Sequence, residues 1–392
     1  MSSLRTISSR KLIAGIGGVA VLAIAGVGVG SAVTGANPPA AQPLADALHQ
    51  AATGAKPTGI TADVTFTNNL LSAAGLPGTD PLIAGASGRL WMDSNGALRI
   101  ELQTTGGGLD SQIVVNDTAI TVFDGSQNTV YKIALPPKSS TGTHTAGSIP
   151  TVDQIQSRLN ELSTHLDISG AIPGTVGAVP SYTVKISPQH DGGLLGDVQL
   201  AWDASNGVPL GISVYSTQDP STPVLALTVN DISYGAVDPS DVTITPPANA
   251  KVVDVPLPAK QSGSSTTTPA TVTGLAAVQA QVSFPIAAPA SVDSLPLHQV
   301  RLVDWKGEKG ALVTYGQGLG GIAVLERPAG TSAPTGASPL SQLPTVTVAG
   351  VQGHELSTPL GTLVTFTKGS VSYVVAGSVT QIAAQTAAGE LS

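Results

Sequence analysis

The 392-residue chain has no cysteine, a formal net charge of -8, 11% charged residues and 3% aromatics. Without cysteine there are no disulfides, no thiol catalysis, no thiolate metal sites and no diacylglycerol anchor of the lipoprotein kind. The charged fraction is less than half the roughly 25% usual for globular chains, and Asn37 to Pro258 holds 19 acids against 8 bases, so a nucleic acid partner is excluded for want of a basic footprint.

Residues 1–36 contain no acid and three bases, Arg5, Arg10 and Lys11, ahead of an uncharged run of 22 residues from Leu12 to Val33. That length suits a membrane span, and the bases predict that they stay inside while the rest of the chain is exported. Six glycines weaken the run as an anchor, and Thr34-Gly35-Ala36 before Asn37-Pro38 has the small residues of a cleavage site. A retained signal anchor and a cleaved signal peptide are both open.

The first domain is expected over 37–255, entered by a short Pro38-Pro39-Ala40 stalk. A short helix is expected around Leu44, Leu48 and Ala51, closed by Gly54, and a first strand over Ile60 to Asn68. From Gly88 to Leu135 the pattern predicts five short strands in a meander: Arg89 to Asp93, Leu98 to Gln103, Gln112 to Asn116, Ala119 to Asp124 and Thr129 to Ile133. Turn residues such as Ser94-Asn95-Gly96 separate them. In the clearest strand Leu98, Ile100 and Leu102 share one face and Arg99, Glu101 and Gln103 the other, so the sheet has an apolar side and a wet side.

After a loop from Pro136 to Pro150, Val152, Ile155, Leu159, Leu162 and Leu166 recur at helical spacing, with Asp153 in the first turn. Strands return at Tyr182 to Ser187, Gly196 to Asp203, Pro209 to Ser216 and Leu225 to Tyr234. A short Val242 to Thr245 segment should end the unit at Pro246-Pro247. About ten strands and one amphipathic helix predict a mainly β, α+β fold: a curved antiparallel half-barrel wrapping that helix.

A Pro/Ser/Thr-rich linker over 256–271 leads to a smaller α+β domain over 272–392. Its expected elements are a small helix at Gly274 to Gln281, strands at Gln299 to Trp305, Ala311 to Tyr315, Ile322 to Glu326, Thr345 to Val348, Gly361 to Thr367 and Val371 to Ala376, and a closing helix at Val379 to Ala388. Gly316-Gln317-Gly318-Leu319-Gly320-Gly321 has dinucleotide-binding spacing, but a strand-like IAVLE follows it, so it reads as a glycine hairpin. The six histidines are far apart, and the hydrolase and glycosidase motifs are missing, so no enzyme, metal or cofactor is expected.

Gly88-Arg89-Leu90-Trp91, Leu98-Arg99-Ile100-Glu101, Val115-Asn116-Asp117, Val122-Phe123-Asp124, Tyr182-Thr183-Val184 and Asp203 to Leu210 resemble sequence elements of the LolA/RseB superfamily. The resemblance covers about Ala45 to Thr245. It implies an exported bacterial protein of the cell envelope with an incomplete β-barrel closed by helices. The cavity of such a protein holds lipoprotein acyl chains or other lipid, or, in RseB-like regulators of a sigma-factor pathway, serves envelope sensing. Carriers of the LolA type place a lid-latching basic residue just after the L-W strand. This chain has Asp93-Ser94 there, a departure that bears on lid latching and lipoprotein shuttling.

Under that reading the cavity lining is Leu90, Met92, Leu98, Ile100, Leu102, Ile113, Val115 and Val122, with Ile155, Leu159 and Leu162 as the lid face. Each methylene removed from water there contributes roughly 0.8 kcal/mol. Alternating Leu, Ile and Val are also what any half-buried sheet shows, so a filled core is the competing reading. An envelope regulatory or scaffold protein, binding a protein segment and no lipid, is the alternative function. Trp91 falls on the parity opposite Leu90 and Met92, an outer-face position.

Overall fold

The computed structural model describes residues 37–70, 81, 85–104, 110–135, 149–189, 192–255, 272–305, 308–330, 343–348 and 350–391. The expected membrane segment, the linker and residues 136–148 of the Pro136 to Pro150 loop lie outside the described residues.

The chain is mainly β. Helix α1 (Leu44–Thr53) precedes β1 (Gly59–Asn68), β2 (Ala86–Asp93), β3 (Leu98–Gln103), β4 (Asp110–Val115), β5 (Ala119–Asp124) and β6 (Thr129–Ala134). Then come α2 (Val152–Leu162), β7 (Leu166–Ile168), β8 (Ile172–Val176), β9 (Val179–Pro188), β10 (Leu195–Asp203), β11 (Pro209–Ser216), β12 (Pro223–Tyr234) and β13 (Lys251–Asp254).

These strands form one sheet in the order β13-β6-β5-β4-β3-β2-β1-β12-β11-β10-β9-β7, with β8 on β9. The predicted meander β2 to β6 is present as consecutive antiparallel neighbours. Val242 to Thr245 is not a strand. The sheet closes instead with β13, beyond Pro246-Pro247, which pairs parallel to β6. Strand β8, which contains Pro173 and Gly174, is a further strand beyond the predicted ones and pairs with β9.

Two helices lie over the half-barrel. Leu44 and Ala47 of α1 are buried in a cluster with Tyr182, Val184 and Trp202, whose strands β9 and β10 form the far end of the sheet. α2 opens with a capping box, Thr151 and Gln154 each accepting the other's backbone N–H. It lies beside α1, reaches the same cluster through Leu159 alone and has no fully buried residue. Ala45 and Ala47 are buried along with Leu44 on the inner side of α1. The C-terminal end of α1 is tied to the β10–β11 turn by Lys56, whose Nζ donates to Ala51 O and Asn206 O at 2.7 Å each. Gly207 in that turn has φ +70°, and a Cβ there would lie 2.6 Å from Ala51 O.

The second sheet contains α3 (Leu275–Gln279), β14 (Ser291–Val292), β15 (Leu295–Trp305), β16 (Glu308–Tyr315), β17 (Ile322–Pro328), β18 (Thr345–Val348), β19 (Val351–Thr358), β20 (Gly361–Lys368), β21 (Val371–Gly377) and α4 (Gln381–Glu390) around it. Its order is β14-β15-β16-β17-β21-β20-β19-β18. The residues Gly316 to Gly321 connect β16 to β17, a hairpin. α4 touches both end strands, β14 and β18, and Glu390 accepts the Asp293 N–H at 2.8 Å. The sheets share no strand; they meet where the Leu194 N–H donates to Ser378 O at 3.0 Å and the Ser216 hydroxyl to Pro359 O at 2.6 Å.

Candidate functional site

Strand register decides which residues share a face, because side chains alternate and cross-strand partners project together. Pairing places Val122, Ile113, Ile100, Leu90, Ala62 and Ile232 in one row across β5, β4, β3, β2, β1 and β12. A neighbouring row is Val115, Leu98, Met92 and Ile60, and a third holds Leu102, Gly88 and Val64. All eight predicted strand residues therefore lie on one face. It is the face that carries α1, since Leu227, Ile212, Leu200 and Val184 continue it to the α1 cluster.

Within that face burial is uneven. Leu98, Leu102 and Val122 are buried, whereas Leu90, Met92, Ile100, Ile113 and Val115 are half-buried. Leu90, Met92 and Ile100 lean on a cluster of Val64, Leu102, Leu210 and Val229. Ile113 and Val115 lean on Ile120, Val122, Tyr131 and Ile133. The half-buried residues form an apolar strip across three strands, about 10 Å wide at the usual spacing between strands.

Part of the concave space is filled by the protein itself. Leu210 is fully buried, and Gly177 at the β8–β9 turn lies against Val229 and Ile232, where a Cβ would come within 2.8 Å of Val229 Cγ1. Of the expected lid face, Leu159 is half-buried against the α1 cluster, Ile155 is half-buried and Leu162 is 50% exposed. The structure thus brings Leu90, Met92, Ile100, Ile113 and Val115 together, and sets Ile155 and Leu162 on a helix that lies against α1. Sequence reasoning missed Leu227, Ile232 and Ile212, which extend the same face. Their alternation in β11 and β12 was visible, but only the long-range pairing of β12 with β1 shows that they join it.

The opposite face is polar across β1, β2 and β3 apart from Trp91, and it buries Val114, Phe123 and Val130 on β4, β5 and β6. Trp91 lies there, with the guanidinium carbons of Arg89 and Arg99 5.8 and 5.1 Å from its ring centroid. Arg89 pairs with Asp63 at 3.2 Å and Arg99 with Glu101 at 2.7 Å. Asp93, where LolA-type carriers have a base, closes the β2–β3 turn by accepting the Asn95 and Ala97 N–H groups at 2.9 Å each. A slight burial penalty is outweighed by these hydrogen bonds, which hold its carboxyl below the usual range.

A second concavity lies where the two sheets meet. It is an open cleft of about 450 Å³ lined by Asn69, Ser216, Asp219, Val224 and Pro359 among others. No group of three or more histidine and acidic side chains placed to hold a metal occurs among the described residues. Nor is any described helix long and apolar enough to cross a membrane.

No family model matches the chain, and no curated protein matches it. Among solved structures, a crystal structure of MucB in complex with MucA(peri) is similar over 88% of this chain and 97% of that chain, at 14% identity and a TM-score of 0.41. A LolA superfamily protein from Nitrosomonas europaea is similar over 52% of this chain and 99% of that one, at 13% identity and a TM-score of 0.22. A putative outer membrane lipoprotein-sorting protein domain from Vibrio parahaemolyticus covers 51% and 95%, at 8% identity and a TM-score of 0.17.

Proposed function

We propose that the chain is an extracytoplasmic binding protein that holds an apolar, chain-like ligand, such as the acyl chain of a lipoprotein or a lipid, noncovalently on the concave face of its first sheet. The observation that carries this reading is the row Ile113, Ile100 and Leu90, three large apolar side chains aligned across adjacent strands and left half-buried. Aligned apolar side chains offer continuous contact to a methylene chain, and burial of each methylene contributes roughly 0.8 kcal/mol. No bond is made or broken, so the role of the residues is to remove apolar surface from water. Displacement of a fluorescent fatty-acid probe by palmitate tests the reading. Saturable binding that Ile100→Asp abolishes supports it, and absence of binding to the wild-type chain refutes it.

One observation favours a second reading, in which the ligand is a segment of an envelope regulatory protein. Leu210, Val229 and the β8–β9 turn occupy part of the concave space, and the open cleft where the sheets meet is roomy enough for side chains of an extended peptide. In that case the chain recognises a protein partner and takes no lipid. The predicted division into a half-barrel domain over 37–255 and a smaller domain over 272–392, with the membrane approached through residues 1–36, belongs to both readings.

A further inference from the structure

Glu326 sits on β17 with its side chain in the core of the second sheet and is fully buried. Its neighbours in the ladder are Ala311 on β16 and Tyr373 on β21, so strands close it in on both sides. Oε2 accepts the Ala287 N–H at 2.9 Å, and Oε1 has no hydrogen-bond partner among the described residues. The titratable groups whose charge interactions involve it are Tyr315 from β16 and Tyr373 from β21, both neutral at ordinary pH; no ion pair to it occurs among the described residues. Ala287 belongs to the segment between α3 and β14, which runs over the core with Phe284 buried and Ile286, Ala287 and Ala288 half-buried against it. Gln279 holds the same segment independently: its Nε2 donates to Phe284 O at 2.7 Å and its Oε1 accepts the Ile286 N–H at 2.9 Å.

A buried carboxyl with one hydrogen bond and no cation is stable as the neutral acid and costly as the anion. When it ionises, water must reach Oε1. The flanking strands are fixed by their ladders, whereas the covering segment has no ladder and is held by side-chain bonds, the one from Glu326 to Ala287 and the two from Gln279 to Phe284 and Ile286. We propose that Glu326 is a proton-controlled latch for the covering segment around Ala287: protonated, it keeps the segment closed over the core of the second sheet, and ionised, it releases the segment. Burial pushes its pKa up to about 7 against the opposing pull of the Ala287 N–H, which puts the change close to neutral pH. Loss of the proton to water is the whole chemical step.

Amide hydrogen exchange of Ile286 and Ala287 in the full chain tests this, with rates corrected for the intrinsic pH dependence of exchange. If an open form ionises normally near 4.5 and the closed form near 7, the population of the open form rises about 30-fold from pH 5.5 to pH 8.5. The expected result is that gain in the wild-type chain and none in Glu326→Gln. Equal corrected exchange at both pH values in the wild type, or the same gain in Glu326→Gln, overturns the proposal. Should Glu326→Gln fail to fold, carboxyl 13C shifts of the wild-type chain decide: a glutamate titrating close to neutral pH supports the latch, and none doing so overturns it.

Discussion

The Tyr234 hydroxyl donates to Asp203 Oδ2 at 2.5 Å, joining the end of β12 to the turn between β10 and β11. The same carboxylate accepts the Ser205 N–H at 2.7 Å, the Ser205 hydroxyl at 2.6 Å and the Asn206 amide at 3.2 Å. It is a buried anion satisfied by neutral donors. Removing one donor by Tyr234→Phe should cost about 1–2 kcal/mol, since hydrogen bonds to charged groups exceed neutral ones. Chemical denaturation of the variant and the wild type measures it.

The α1 docking gives a sharper steric test. Gly207 has a left-handed backbone, and a Cβ would meet the Ala51 carbonyl. Gly207→Ala should destabilise by about 2 kcal/mol or more, combining backbone strain with displacement of α1. A thermal unfolding temperature unchanged from wild type would contradict the close approach.

Two apolar residues of α2, Leu159 and Leu162, should behave differently under truncation. Leu162→Ala removes a half-exposed side chain, and its effect should stay within about 0.5 kcal/mol. Leu159→Ala removes the contact of α2 with the α1 cluster and should cost about 1–2 kcal/mol, below the range of about 2–5 kcal/mol for fully buried leucines because the site is only half-buried. Paired denaturation curves compare them directly.

Glu326 makes stability depend on pH in a direction opposite to that of most acids. Between its ordinary value of 4.5 and its folded value of about 7, the folded chain keeps a proton that the unfolded chain has lost. Stability therefore falls as pH rises through this window and levels off above it, by about 3 kcal/mol in total. Glu326→Gln should remove this fall, which unfolding curves collected from pH 5 to pH 8 will register.

The meander was legible because each strand is local and its turns are marked; Leu98, Ile100 and Leu102 keep strict alternation between clear breakers. The shared face of the eight strand residues followed from the same alternation. Strand β13 was hidden because it has four residues, charges at both ends and a partner more than 110 positions away. The helices were harder for a different reason. Periodicity identifies an apolar stripe, and α2 has the clearer one, but which helix is buried depends on the long-range packing, and it is α1 that buries Leu44, Ala45 and Ala47 while α2 buries none.

The central claim is that the half-buried strip around Ile100 takes up an apolar chain. Native mass spectrometry of residues 37–392, purified from a bacterial envelope and followed by lipid extraction, tests it most directly. The account predicts a co-purifying acyl species on the wild-type chain that is lost in Ile100→Asp. A mass with no bound species, unchanged when fatty acids or lipopeptides are added, would contradict it and turn the search towards a protein partner.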